Sequence, residues 1–191
     1  MGAKKRFIMK KLFVLALAMF AIVSTANAQI SNDIKISKER VEKLQSLCDG
    51  YKKTGNPNID GYGDAVRDAA VLAIANSVQL EDMYNRQISE AAKPTIDEWV
   101  TFANGLAKEG ECIKKATDKV KAAGEEAKTM SENASKEKNP MKAGKAAKQA
   151  KTAAAVVSFG NEATPIIIEE SAAQAKVVKE IIDALKSGKE L

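Results

Sequence analysis

The chain has 191 residues, with 30 Lys and Arg, 25 Asp and Glu, two Cys, one Trp and no His. This length suits one domain. Without His, the chain can form no His-ligated haem, zinc or di-iron site and no nucleophile that relies on a His base. Two cysteines are too few for a Cys-rich metal site or an iron–sulfur cluster. We therefore expect a protein that is not an enzyme and holds no catalytic residue, metal or cofactor.

Residues 1–28 have the pattern of a secretory signal peptide. Five basic residues accompany an apolar run, Leu12–Val23, whose 12 residues fall short of the about 20 that span a bilayer. Ala26-Asn27-Ala28 provides small residues at the positions that the peptidase reads, which predicts cleavage before Gln29. The alternative is a retained N-terminal anchor. Cleavage would give a periplasmic or secreted protein with no integral membrane span in the mature chain.

Removing this segment changes the charge of the protein. Residues 1–28 contain five basic and no acidic residues, so the mature chain 29–191 would carry 25 of each. The high pI of the full chain therefore belongs to the signal peptide, and a basic composition gives no reason to expect nucleic-acid binding.

The mature chain is expected to be a single all-α domain. It is rich in Ala, the best helix former, and no segment alternates apolar and polar residues as a strand would. The run Thr54–Asp64 is dense in Gly, Asn and Pro and predicts a turn, with Gly61–Asp64 as a turn and helix cap. Helices are predicted over residues 36–53, 63–92, 94–138 and 141–187.

The third and fourth helices carry heptad seams that predict an antiparallel hairpin turning at about Asn139-Pro140. The first seam is Ile96, Trp99, Ala103, Leu106, Gly110, Ile113, Thr117, Val120, Gly124, Ala127, Ser131 and Ala134. The second is Ala143, Ala147, Ala150, Ala154, Val157, Asn161, Thr164, Ile168, Ser171, Ala175, Val178, Ile182 and Leu185.

Both seams change from large residues to Ala, Gly and Ser near the turn. The predicted fold is therefore a four-helix body with a long Ala-rich hairpin, of which residues 114–158 form a protruding arm. A break or kink is expected near Pro165, because Gly160 resembles a helix stop and Thr164-Pro165 a helix start.

Cys48 and Cys112 are candidates for a disulfide, since export implies an oxidising compartment. The bridge would join the first helix to the third. Buried thiols are the structural alternative. Neither cysteine lies in a C-x-x-C motif, so a reactive thiol is not expected.

A basic tip, residues 128–151, is the most function-like surface in the sequence. It contains seven lysines and two acidic residues, and it could contact a protein client, lipid head groups or anionic glycans. It has neither Arg nor aromatic residues, which argues against nucleic acid, and its Ala-based apolar face argues against membrane insertion. The alternative is a solvated lysine face. The lysines are Lys128, Lys136, Lys138, Lys142, Lys145, Lys148 and Lys151.

Two functions follow as hypotheses. The first is an exported binding or scaffold protein, in one form chaperone-like, that uses the basic tip to contact anionic or unfolded partners. The second is a bundle that binds a small apolar ligand; its pocket would be formed by Trp99, Phe102, Val71, Ile74 and Ile181. The pairs Glu125-Glu126 and Glu169-Glu170 are expected on solvated faces. Seams of small residues suit either a monomer or a homodimer.

Overall fold

The computed structural model describes residues 26–89 and 92–189, and within these ranges it contains helices and no strand. The prediction of an all-α fold is confirmed. α3 and α4 meet at Leu106 and together form one long helix, followed by the return helix α5. The helices are α1 (Ala26–Gly50), α2 (Pro57–Ile88), α3 (Ile96–Gly105), α4 (Ala107–Lys136) and α5 (Pro140–Lys186).

Capping side chains set the starts of α2 and α3. The Asn56 side chain accepts hydrogen bonds from the backbone N–H groups of Asn58 and Ile59, and Pro57 occupies the first turn. The predicted turn at 54–64 is therefore too long, since α2 begins at Pro57. Thr95 and Glu98 form a capping box at the start of α3, which satisfies N–H groups that lack helical partners.

The GYGD run lies inside α2, so its prediction as a turn is wrong. A Cβ at Gly63 would stand 2.5 Å from the Tyr51 ring and 2.8 Å from Val156. Gly63 therefore allows the start of α2 to approach both the chain that follows α1 and the helix α5.

The helices form an antiparallel bundle around the pair α2 and α5. These two helices contact each other, and both α1 and α4 pack on the two of them. α3 packs on α5 and adjoins α4. Helices that follow each other in the chain thus run in alternate directions, apart from α3 and α4, which continue in one direction.

The core has two apolar clusters. The tip-side cluster lies nearer the hairpin turn, and the base-side cluster lies at the opposite end of the body. The tip-side cluster includes Leu44, Ile59, Tyr62, Val66, Ala116, Ala123, Ala153, Val156, Phe159 and Ile167. The base-side cluster is built from Ile30, Ile34, Leu80, Met83, Tyr84, Trp99, Phe102, Val177, Val178 and Ile181.

A buried polar layer separates the two clusters. On α1, on α2, on α5 and on the continuous helix formed by α3 and α4, the polar residues fall between the residues of one cluster and those of the other. We call this set the polar layer: Ser37, Asn76, Ser77, Glu109, Glu170 and Gln174.

The hairpin of α4 and α5 turns at residues 137–139, as predicted. Its inner part contacts α2: Lys119 donates to the Gly61 carbonyl (3.0 Å) and Asn56 donates to Glu126 (2.9 Å). No residue between Ala123 and Ala150 is fully buried. The projecting segment is therefore shorter than the expected arm of 114–158, because both ends of that range pack on the body.

The predicted seams are displaced by one residue over much of both helices. On α5, Gly160, Ala163, Ile167, Glu170 and Gln174 are buried, each one position before a residue of the predicted seam. Ile168, a predicted seam residue, is 45% exposed. The buried residues of α4, Glu109, Ala116 and Ala123, are displaced in the same direction.

The expected break near Pro165 is absent, and α5 is one helix of 47 residues. Pro165 lacks the N–H that would bond to the carbonyl of Asn161. Both residues lie on the exposed face, where water can bond to that carbonyl. The opposite face keeps Ala163 and Ile167 in the core, and this packing holds the helix together through Pro165.

The predicted signal peptide falls outside the described residues except for Ala26–Ala28, which begin α1. Among the helices of the described ranges, none combines the length and apolarity that crossing a membrane requires.

Candidate functional site

The basic tip lies at the far end of the hairpin, with all seven of its lysines exposed. Lys128 forms a long ion pair with Glu132 (3.9 Å), in which both side chains are more than half exposed; such a pair holds its partners only weakly. Within residues 26–89 and 92–189, the other six lysines make no ion pair. The tip therefore presents its positive charge to solvent.

The start of α5 places an apolar side chain among these charges. Asn139 caps the helix by accepting from the N–H groups of Met141 (3.1 Å) and Lys142 (3.4 Å). Met141 is 89% exposed, the most exposed of the large apolar residues in the described part of the chain. The end of the hairpin thus combines lysines with one apolar contact residue.

The polar layer is the second notable feature, and its centre is Glu170. This side chain is fully buried. Its Oε1 accepts hydrogen bonds from the hydroxyls of Ser37 (2.5 Å) and Ser77 (2.6 Å), and its Oε2 pairs with Arg40 Nε (2.6 Å). Residues of α1 and α2 are thereby fixed to one carboxylate of α5.

Glu109 is the second buried carboxyl group of the layer and is 1% exposed. Its Oε2 accepts from Asn76 Nδ2 (2.8 Å), and its Oε1 is hydrogen-bonded to the hydroxyl of Ser171. Burial raises the pKa of Glu109, and the nearby charge of Glu170 raises it further, against the opposing effect of the hydrogen bonds from Ser171 and Asn76. Glu109 is therefore held in surroundings that favour its neutral form.

Gln174 completes the layer. Its Nε2 lies within hydrogen-bond distance of the Ala73 carbonyl (2.9 Å), Ser77 Oγ (2.7 Å) and Glu170 Oε1 (3.2 Å). Because these neighbours include a carbonyl and a carboxylate, the amide must point its nitrogen toward them. Its Oε1 is buried without a hydrogen-bond partner in the described structure.

Sequence reasoning missed this layer. The pair Glu169-Glu170 was expected on a solvated face, but only Glu169 is exposed. The signal that could have found the layer is positional: one turn apart on α5, Glu170 and Gln174 continue the spacing of the buried residues Ala163 and Ile167.

The cysteines are free thiols, so the disulfide expected between Cys48 and Cys112 is not formed in the structure. Both are half-buried against the tip-side cluster. They lie on α1 and α4, which pack mainly on α2 and α5 rather than on each other. Burial raises the pKa of the Cys48 thiol, which keeps it protonated and unreactive.

The five residues expected to form an apolar pocket are only partly brought together. Trp99, Phe102 and Ile181 belong to the base-side cluster, whereas Ile74 packs on the tip-side cluster and Val71 is 52% exposed. Trp99 is fully buried, and its indole N–H donates to Gln87 (3.2 Å). The three buried members of this set therefore lie in one cluster, and Ile74 and Val71 lie away from it.

The described ranges contain no group of three or more Cys, Asp or Glu side chains placed to hold a metal ion. Comparisons with models of known protein families, with curated proteins and with solved structures found no match.

Proposed function

We propose that the protein is an exported, non-enzymatic binding or scaffold protein whose basic tip holds an anionic surface, either phosphate head groups or anionic glycans. The observation that carries the proposal is the set of seven exposed lysines at the end of the projecting hairpin. Six of them have no acidic partner among the described residues. Lysines spaced along such a hairpin can approach a charged surface together while the body stays away from it.

The distribution of charge supports this proposal. Residues 128–151 carry a net charge of +5, and the rest of the mature chain would carry −5. A molecule with this charge separation is oriented by the field of an anionic surface, which attracts the tip and repels the body. Contact would be peripheral, because the apolar residues of the tip are mostly Ala and its one exposed large apolar side chain is Met141.

The test is charge reversal at the tip. The variant Lys142→Glu, Lys145→Glu, Lys148→Glu is compared with the wild type for binding to anionic and neutral lipid vesicles and to a sulfated glycan. Near an anionic membrane each lysine contributes about 1 kcal/mol, so the triple variant is expected to bind about a hundredfold more weakly or worse. Wild-type binding should fall as salt is added, and the melting temperature should not change.

A matched control reverses three exposed lysines of the body, Lys43, Lys52 and Lys186. It changes the net charge by the same amount and should bind more tightly than the tip variant. Equal losses in the two variants would show that only net charge matters. Binding to neither anionic probe at low salt would reject the proposal, and retention of an unfolded protein client instead would favour the chaperone-like alternative.

A further inference from the structure

The buried carboxyl groups of the polar layer outnumber the basic groups that pair with them. Two carboxyl groups, Glu109 and Glu170, lie within it and are each at most 1% exposed. The guanidinium of Arg40 pairs with Glu170. In the described part of the chain no basic side chain pairs with Glu109; its hydrogen bonds come from the uncharged Asn76 and Ser171.

The surroundings of Glu109 on every neighbouring helix agree with this imbalance. α5 faces it with the carboxylate of Glu170, and α2 with the amide of Asn76. α3 contributes apolar residues, Trp99 and Phe102, to the core. Arg40 of α1 brings a positive charge to the layer, but its guanidinium is paired with Glu170. An ionised Glu109 would thus be a buried anion without a cation, which is costly in a protein interior.

We propose that the folded bundle carries Glu109 as the neutral acid, and that loss of its proton to water loosens the joint between α3 and α4, making the polar layer a pH-sensitive switch. As the neutral acid, Glu109 donates a hydrogen bond to Ser171 Oγ and still accepts one from Asn76. Once ionised, it faces Glu170 as a second negative charge and must gain water to be stabilised.

The position of Glu109 in the chain indicates which part of the bundle loosens when it ionises. The residue lies in the first turn of α4, three residues after Leu106, where the N–H of Glu109 bonds to the Leu106 carbonyl. α3 has ten residues, and its larger helix contacts in the described chain are with α5 and α4; its Trp99 side chain also bonds to Gln87 of α2. As the shortest of the described helices, it is the one expected to loosen first when the layer takes up water.

The direction of the pH effect is set by the raised pKa of Glu109. A carboxyl group whose pKa is higher in the folded than in the unfolded chain contributes stability at low pH, and that contribution is lost as pH rises through the folded-state value. The contribution is complete below the unfolded value of 4.5. Above it, one such group changes the unfolding equilibrium by at most about tenfold per pH unit.

The experiment uses Glu109→Gln, because Gln reproduces the hydrogen bonds of the neutral acid: its amide donates to Ser171 and its carbonyl accepts from Asn76. The full chain is unfolded with denaturant from about pH 5 to about pH 9. The wild type should lose stability with rising pH at a slope approaching one proton. The Gln variant should be free of that slope and at least as stable at neutral pH.

Trp99, the single Trp of the chain, reports on the joint. Its emission should shift to the red in the wild type as Glu109 ionises and should not shift over that range in the Gln variant. Glu111→Gln is the control, since Glu111 is exposed on the same helix; it should retain the wild-type slope and the wild-type shift.

A direct titration keeps the proposal falsifiable if the Gln variant fails to fold. The carboxyl carbon signal of Glu109, followed by NMR in the wild type, should titrate above the ordinary range of a glutamate carboxyl. Titration within that ordinary range would overturn the proposal. A Gln variant that is destabilised and keeps the wild-type pH slope would overturn it as well.

Discussion

The same two helices, α4 and α5, pack in different ways in the body and in the outer hairpin. In the body they share a core with α1 and α2, and large apolar residues surround a layer of hydrogen-bonded polar groups. In the outer hairpin, between Ala123 and Ala150, mostly small residues lie between them and no side chain is fully buried. Since hydrophobic stabilisation follows the apolar area removed from water, the outer hairpin gains little by itself and depends on the body for its geometry.

The largest expected effect of a substitution is in the body, at Glu170. Glu170→Ala would leave Arg40, Ser37 and Ser77 without their shared acceptor, and breaking a buried pair in this way costs about 3–5 kcal/mol. Chemical denaturation should show this loss in the free energy of unfolding. Glu169→Ala, on the exposed neighbour, should change it by less than about 0.5 kcal/mol. Similar values for the two variants would mean that the layer does not hold the body together.

The next largest change in stability is expected at two glycines of α5, one in the body and one in the outer hairpin. A Cβ at Gly160 would overlap the hydroxyl and ring of Tyr62, whereas a Cβ at Gly144 would meet nothing within 4 Å. Gly160→Ala should therefore destabilise the protein by about 1–3 kcal/mol through overpacking. Gly144→Ala should stabilise it by up to about 1 kcal/mol, since Ala is the better helix former.

Thermal and denaturant unfolding of both glycine variants would measure this contrast. Two changes of the same sign would show that the close packing assigned to the body does not distinguish it from the outer hairpin.

The smallest effect is expected at the start of α2, where Asp64 accepts from Lys53 (2.8 Å) and from the hydroxyl of Tyr51 (3.0 Å). The ion pair with Lys53 lowers the pKa of Asp64, and the hydrogen bond from Tyr51 lowers it further. A carboxyl group with a lowered pKa contributes stability above its unfolded value of 3.8, and that contribution is lost as pH falls.

Asp64→Asn should therefore unfold with a weaker dependence on acid than the wild type, and an acid titration followed by circular dichroism measures this. Asp68→Asn, on the exposed side of the same helix, should behave as the wild type does. If both variants shift the acid transition alike, the contacts of Asp64 contribute nothing specific.

The fold could be predicted from the sequence because composition and spacing act over many residues. Ala content and the 3-4 spacing indicated helices, and the Asn139-Pro140 pair marked the turn. The register of the seams was wrong by one residue, for a physical reason. A seam chosen by apolarity avoids Glu170 and Gln174, yet both are buried because Ser37, Arg40 and Ser77 bond to their polar atoms.

The candidate site could be predicted only in part. The lysines of the basic tip are close together in the chain, so the amino-acid sequence alone shows that they cluster. The polar layer joins residues from four helices, and the hydrogen bonds between Glu170 and Ser37 or Ser77 span 133 and 93 positions. Pairings at such distances are set by tertiary packing, which the local pattern of one helix does not contain.

The position of the polar layer has a consequence for the reach of the lysines. If α5 slid along its axis past α2 by one or two turns, Glu170 would move into an apolar cluster, and its donors on α1 and α2 would lose their acceptor. Axially shifted positions of α5 are therefore unfavourable, and the distance between the body and the lysines stays constant. The Glu170 carboxylate therefore fixes the axial position of α5, and the hairpin holds the lysines at a constant distance from the body.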